Sequence, residues 1–310
     1  MKLYFIILIL LILITFIFII VKLSTNGDMF KIENYYNQNI KEIINSPFTN
    51  IQPKNIVIPL NIFQTWKTKN LKPGMQDAVD KLKATNPEFK YYLYDDNDCR
   101  EFIKNNFEPD VLTAFDCLIP GAYKADLWIC CVLYKYGGVY LDIKFTPVNG
   151  FKLINLMDRE HFCLDTNESW TYKDYGLYNA IMITKPNNII LKECIDRIVL
   201  NVKNKYYDIS ALAPTGPILL GNIYNKHMKG NIDDIQLFIH VSYNAVPSTQ
   251  PNIYIVYNKH QILKMYPTYR EEQGHNNSDN KSYGKLWAER AIYKDCFIKE
   301  HFNKENFNYT

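Results

Sequence analysis

The stretch from Asp126 to Phe145 restricts the fold more than any other part of the chain. Residues 126–136, Asp-Leu-Trp-Ile-Cys-Cys-Val-Leu-Tyr-Lys-Tyr, are nearly all apolar over a helical length, which predicts a helix buried on every side. Gly137-Gly138 supplies its stop, since glycine takes the backbone conformation past a helix end without a Cβ penalty. Val139–Phe145 then alternates as a strand, with Tyr140, Asp142 and Lys144 on one face and Val139, Leu141, Ile143 and Phe145 on the other. A carboxylate and an ammonium on an otherwise apolar strand are costly to bury unless they pair or meet a ligand. Asp126, at the start of the expected helix, also has a plain reading, because acids favour helix N-termini.

The flanking sequence repeats this rhythm. Val57–Phe63 reads as a first strand running into Gln64-Thr65-Trp66, and a helix over Met75–Thr85 stops at Asn86-Pro87. Phe89–Tyr94 is a short aromatic strand ending in Asp95-Asp96, and Asp98–Asn106 is helical again. Further on come a strand over Leu177–Thr184 carrying Asn179, a helix over Ile189–Val202, and the loop Ala213-Pro214-Thr215-Gly216-Pro217 leading into apolar turns at Ile218–Ile223. Alternating strands and helices predict an α/β fold with a largely parallel sheet, whose sites lie at the carboxyl ends of the strands. Trp66 and Asp95 stand at such ends.

The amino-terminal end has a different character. Leu3–Val21 contains no charged residue in 19 positions, and roughly 28 Å of helix at about 1.5 Å per residue matches a bilayer core. The run exceeds a secretory signal's apolar segment and no Ala-x-Ala site follows it, which favours an uncleaved anchor. Lys2 and Lys22 flank it almost symmetrically, so charge does not set its orientation. Residues 22–54 read as a stem and 55–310 as one large domain, with 245–310 as a carboxyl-terminal flap or acceptor region. With 35 Lys+Arg against 32 Asp+Glu, the remainder excludes a multi-span transporter and argues against a nucleic-acid partner. The seven cysteines form no C-x-x-C and no zinc-ligand spacing; Cys130-Cys131 read as buried small residues, and sequence does not pair any disulfide.

The ordered set Gln64-Thr65-Trp66, Asn86-Pro87, Tyr94-Asp95-Asp96, Ala125-Asp126-Leu127, Leu133-Tyr134-Lys135-Tyr136-Gly137-Gly138-Val139-Tyr140-Leu141-Asp142, Asn179-Ala180 and Thr215-Gly216-Pro217 resembles glycosyltransferase family 32. That family includes initiating α-1,6-mannosyltransferases, inositol-phosphorylceramide mannosyltransferases and capsule enzymes. The resemblance covers about residues 55–220 and extends more loosely to 295. It implies a GT-A fold, a Rossmann-like sheet that holds a UDP- or GDP-sugar, and transfer of a hexose with retention to a glycan or glycolipid. It also implies Mn²⁺ or Mg²⁺ held against the donor diphosphate by an Asp-x-Asp motif. Asp142 matches the first Asp of that motif, as the metal ligand, and Asp126 matches an Asp that bonds donor sugar hydroxyls. Trp66 matches the aromatic beside the nucleotide base, and Gln64, Asp95, Tyr140, Asn179 and Gly216 fall on the donor side. In the carboxyl-terminal part, Tyr269, Arg270 and Trp287 suit a flap that closes over the donor, with His275–Asn280 as its mobile loop.

Two positions depart from the family. Lys144 replaces the second Asp of the metal motif, and Ile129 replaces the Arg that usually follows Asp126 by three residues. An ammonium cannot ligate a metal, so the catalytic pair Asp142 and Lys144 implies a metal dependence that is weakened or rests on Asp142 plus a carboxylate from elsewhere, with Lys144 placed to contact the diphosphate itself. The family analogy places the domain in the lumen of the secretory pathway, compatible with sequons at Asn167, Asn276 and Asn308. The alternatives are a catalytically impaired protein of the same fold that binds nucleotide or glycan, and a single-pass scaffold that binds neither.

Overall fold

The computed structural model describes residues 31–51, 53–166, 175–229, 231–242, 251–274 and 282–297. The expected anchor at 3–21, the loop His275–Asn280 and the three sequon asparagines lie outside these residues. Among the described residues no helix is long and apolar enough to cross a membrane.

The fold is mixed α/β. A nine-stranded sheet runs in the order β2-β1-β3-β6-β5-β7-β8-β9-β4, where β1 is Asn61–Thr65, β2 Lys90–Tyr94, β3 Gly138–Leu141, β4 Phe145–Pro147, β5 His161–Leu164, β6 Leu177–Thr184, β7 Leu237–Ser242, β8 Asn252–Tyr257 and β9 His260–Met265. The strands β2, β1 and β3 are mutually parallel, as the alternation of strands and helices predicts. From β6 onward the sheet is mostly antiparallel and closes on the β8–β9 hairpin, whose turn residues Asn258 and Lys259 have φ of 47° and 65°. Lys90 of β2 pairs with Asn61, so the first strand starts four residues later than its apolar run suggests; the backbone first turns at Pro59, whose carbonyl bonds the Asn61 N–H.

Helices cover both faces. A helix over residues 31–40 (α1) precedes the sheet, and α2 (Pro73–Thr85) lies against one face with Met75, Val79 and Leu82 buried. On the other face sit α3 (Asp96–Asn106), α4 (Pro109–Cys117), α5 (Gly121–Tyr136), α6 (Ile189–Lys203) and α7 (Pro217–Met228). The helix α5 is apolar around its circumference because it lies between the sheet and α6, and Trp128, Cys131 and Leu133 are fully buried in it. It begins five residues earlier than expected, so Asp126 sits in its second turn and is no helix-start acid.

Residues 31–48, within the stretch read as a stem, are docked on the domain. The Tyr35 hydroxyl donates to the Ile235 carbonyl (2.9 Å) and that of Tyr36 to the Ile239 carbonyl (2.7 Å), while both rings flank Phe238. Phe48 packs edge-on against Phe151 at 4.9 Å. At the other end, a Cys117–Cys296 disulfide, with Cα atoms 5.8 Å apart, ties the end of α4 to the carboxyl-terminal segment. The remaining described cysteines, Cys130 and Cys131 included, are free and buried. The carboxyl-terminal part also holds two short helices, α8 (Tyr269–Gln273) and α9 (Tyr283–Ala288).

Candidate functional site

The link from α5 to β3 is a tight passage. Gly137 has φ of +60° and Gly138 of +118°, and a Cβ on Gly138 would stand 2.7 Å from the Asn61 carbonyl oxygen. Two glycines therefore let the helix pass directly into a strand beside β1. The strand is shorter than its alternation predicts. Tyr140 faces the α5 side and Leu141 the α2 side, and the Asp142 N–H still bonds the Ala180 carbonyl of β6 (2.8 Å). Then the chain turns: Phe145 N–H bonds the Asp142 carbonyl (3.0 Å), and β4 leaves to pair Phe145 with Met265 of β9. The expected continuous strand over Val139–Phe145 is thus broken, because Phe145 gains a partner in another part of the sheet.

The turn brings Asp142 and Lys144 together. The Lys144 Nζ lies 2.6 Å from Asp142 Oδ2, and the Tyr140 hydroxyl donates to Asp142 Oδ1 at 2.7 Å. The Lys144 side chain is only 13% exposed, against 29% for Asp142. Its ammonium stands 5.1 Å from the Tyr178 ring centre and 5.4 Å from that of Phe145, within cation–π range. Burial works against the ammonium, but Asp142, helped by Tyr178 and Tyr269, holds its pKa above the ordinary lysine value. Tyr140 is pushed up by burial and by the Asp142 charge, so its hydroxyl stays a proton donor.

Asp126 forms a second cluster. Its Oδ1 accepts from Asn179 Nδ2 (2.9 Å) and its Oδ2 from the Thr215 hydroxyl (2.7 Å). Burial raises its pKa to about 7; the Thr215 and Asn179 hydrogen bonds oppose this, and the Asp142 charge adds to it. Asn179 Oδ1 is buried with no hydrogen-bond partner among the described residues, an acceptor beside the carboxylate. Gly216 follows Thr215 into α7, and a Cβ there would come 3.5 Å from Asp126 Oδ2.

Around these clusters stand aromatic groups. Trp66, at the carboxyl end of β1, meets Tyr269 edge-on with ring centres 6.3 Å apart, and the Arg270 guanidinium lies 5.8 Å from the Tyr269 ring. This part of the carboxyl-terminal region is fastened to the domain. The Glu272 carboxylate accepts the N–H groups of Gly74 and Met75 at the start of α2 (2.8 and 2.9 Å) and the Tyr266 hydroxyl (3.0 Å). Tyr283 of α9, partly exposed, packs its ring 5.9 Å from that of Tyr123 in α5.

Three expected donor-site residues are engaged in the protein. Gln64 is buried, receives the Tyr91 hydroxyl on Oε1 (2.9 Å) and donates to the Leu141 carbonyl (3.0 Å), so it fixes the end of β3 next to Asp142. Asp95 caps α3 reciprocally with Asp98. Trp287 donates its indole N–H to the Tyr207 carbonyl (2.7 Å). Sequence reasoning did not single out Tyr178 and Glu272. Tyr178 had a weak signal as the neighbour of Asn179, while Glu272 had none.

The donor set does not fit a divalent cation. Mn²⁺ or Mg²⁺ requires about six oxygen ligands at close range. Both Asp142 oxygens already accept from Tyr140 and Lys144, and both Asp126 oxygens from Asn179 and Thr215. A divalent ion about 4 Å from the ammonium would be repelled by roughly 8 kcal/mol at an effective dielectric constant of about 20. Among the described residues no group of three or more His, Cys, Asp or Glu could hold a metal.

Residues 73–163, which contain both Asp126 and Asp142, match the family described as "glycosyltransferase sugar-binding region containing DXD motif". The chain is 33% identical over 116 residues to inositol phosphoceramide mannosyltransferase 3 of Schizosaccharomyces pombe, covering 37% of this chain and 30% of that one. It is 26% identical over 182 residues to inositol phosphoceramide mannosyltransferase 2 of the same organism, covering 56% and 48%. It thus spans less than half the length of these curated relatives. Among solved structures, PaToxG glycosyltransferase aligns with a TM-score of 0.43 at 15% identity, over 68% of this chain and 80% of that one. The chain's likeness to the family-32 glycosyltransferases therefore rests on its own motifs and on the sequence matches.

Proposed function

We propose that the chain is a retaining hexosyltransferase of GT-A type that takes a UDP- or GDP-sugar and glycosylates a glycan or glycolipid. The observation that supports this reading is the Asp142–Lys144 pair just past β3, whose charge reaches both the Asp126 cluster and the Tyr269 ring that packs against Trp66. In this arrangement Trp66 and Tyr269 receive the base, and Asp126, held by Asn179 and Thr215, takes donor sugar hydroxyls. The polar groups at Asp142 and Lys144 face the diphosphate. The relatives named as inositol phosphoceramide mannosyltransferases favour a mannosyl group and an inositol-phosphate lipid as the first donor and acceptor to test.

Residues 3–21 anchor the protein in this reading, with the domain in an oxidising lumen. The Cys117–Cys296 pairing supports that compartment, since such bonds persist where thiols are not kept reduced.

The test is nucleotide release. The full chain in detergent, given a panel of UDP- and GDP-sugars with an inositol-phosphate lipid, releases nucleoside diphosphate with one donor, and Asp142→Asn abolishes this. Absence of release and of donor binding across the panel would overturn the reading; binding without release would point to the impaired, binding-only alternative.

A further inference from the structure

We infer that Lys144 is the resident cation of the donor site: its ammonium takes the place of a divalent metal at the diphosphate, and Asp142 is the residue that positions it. The inference rests on the sugar-nucleotide reading above and identifies how the leaving group is neutralised.

Three observations carry it. The ammonium is placed as a bound cation would be, in contact with the carboxylate that the family's motif assigns to the metal, 2.6 Å from Asp142 Oδ2. It is held there from several directions. The rings of Tyr178 and Phe145 lie on it, and the Lys144 carbonyl is pinned by the Tyr266 N–H (3.0 Å). A surface lysine loses much rotamer freedom on binding a phosphate, whereas this one is ordered beforehand. Finally, both Asp142 oxygens are engaged, one by Tyr140 and the other by Lys144, so a metal would have to compete with an internal ion pair to bind.

In the transfer step the bond from the anomeric carbon to the β-phosphate oxygen breaks, and its electron pair goes to that oxygen. The acceptor hydroxyl oxygen bonds to the anomeric carbon, and its proton passes to the departing diphosphate. Lys144 supplies positive charge where negative charge accumulates and remains protonated throughout. Asp142 acts through Lys144, keeping the ammonium aimed and charged. Arg270 is a further cation, 5.8 Å from the Tyr269 ring.

The experiment measures UDP and GDP affinity by calorimetry on the full chain in detergent, in excess EDTA and in Mn²⁺, with Mn²⁺ binding followed separately by electron paramagnetic resonance. Wild type binds one nucleotide equally well, within about twofold, in both conditions and shows no nucleotide-linked Mn²⁺ signal. Lys144→Ala loses about tenfold or more in both conditions, as expected for one charge-assisted contact. Lys144→Arg keeps the charge and retains metal-independent binding. Lys144→Asp makes binding depend on Mn²⁺. Equal thermal melting of the variants separates these effects from misfolding. Wild-type binding that falls at least tenfold in EDTA and returns with Mn²⁺, with Lys144→Ala unaffected, overturns this inference alone. Failure to bind either nucleotide in any condition overturns the transferase reading, and this inference with it.

Discussion

Asp126→Asn offers the most quantitative check on the site, because one isosteric change removes an ionisation that the fold opposes. The carboxyl group has its ordinary pKa of 3.8 when unfolded and about 7 in the folded protein. A raised acid pKa means that the native state binds the proton more tightly, so stability declines as pH rises between those values. Integrated over the two titrations, Asp126 costs about 2.5 kcal/mol of stability between pH 5 and pH 8. Asparagine keeps the shape, still accepts from Asn179, and donates to a Thr215 hydroxyl that can reverse its role. The stability difference, variant minus wild type, should therefore grow in the variant's favour by about 2.5 kcal/mol from pH 5 to pH 8. With a urea slope of about 3 kcal/mol/M, this separates the unfolding midpoints by about 0.8 M more at pH 8 than at pH 5. His161 works in the opposite sense: burial lowers its pKa to about 4, so it costs stability as pH falls below 6.5. It is common to both proteins and cancels in the difference. Tryptophan fluorescence in urea at pH 5, 6.5 and 8 reads the effect, and parallel pH dependences for the two proteins would refute the proposed burial of Asp126.

Other changes probe the same architecture. Thr215→Val removes a hydrogen bond that lowers the Asp126 pKa, so the carboxyl itself should titrate higher than its wild-type value of about 7, as carboxyl carbon shifts followed across pH would show. Gly138→Ala imposes a Cβ at φ +118° against the Asn61 carbonyl and should cost about 2–4 kcal/mol in a chemical denaturation curve. Cys117→Ser opens a link between residues 179 apart in sequence and should lower stability by about 2–4 kcal/mol, with no further loss when reductant is added. Tyr36→Phe deletes the hydroxyl bond to Ile239 and should cost about 1 kcal/mol, seen as faster amide exchange across residues 31–40.

What sequence could reveal divides by range along the chain. The helix, Gly137-Gly138 and β3 are encoded locally, through apolar periodicity and the backbone freedom of two residues, and all three were legible. Asp126 and Asp142 stood out through the motifs that contain them. The partners that define their chemistry were harder. Asn179 lies 53 residues from Asp126 and Thr215 lies 89, so only the fold brings them together. Glu272 caps α2 from 198 residues away, and nothing in its own surroundings signals that role. The break after Leu141 was hidden for a similar reason: alternation continues through Phe145, while the partner that draws Phe145 aside, Met265, is distant in sequence. Lys144 was visible as a departure from the motif, but its ion pair depends on a turn that period-two reasoning does not contain.

The docking of residues 31–48 on the domain sets a working height. If residues 3–21 lie in the bilayer, as proposed above, only 22–30 bridge membrane and domain, and nine residues reach at most about 30 Å when fully extended. A leash that short would leave the domain little room to roam. Because Tyr35 and Tyr36 fasten its end at β7, the same side of the sheet would be turned to the membrane in every molecule. Acceptor choice would then be governed partly by altitude: a sugar displayed at headgroup level comes within reach, while the tip of a long glycan rises past the site.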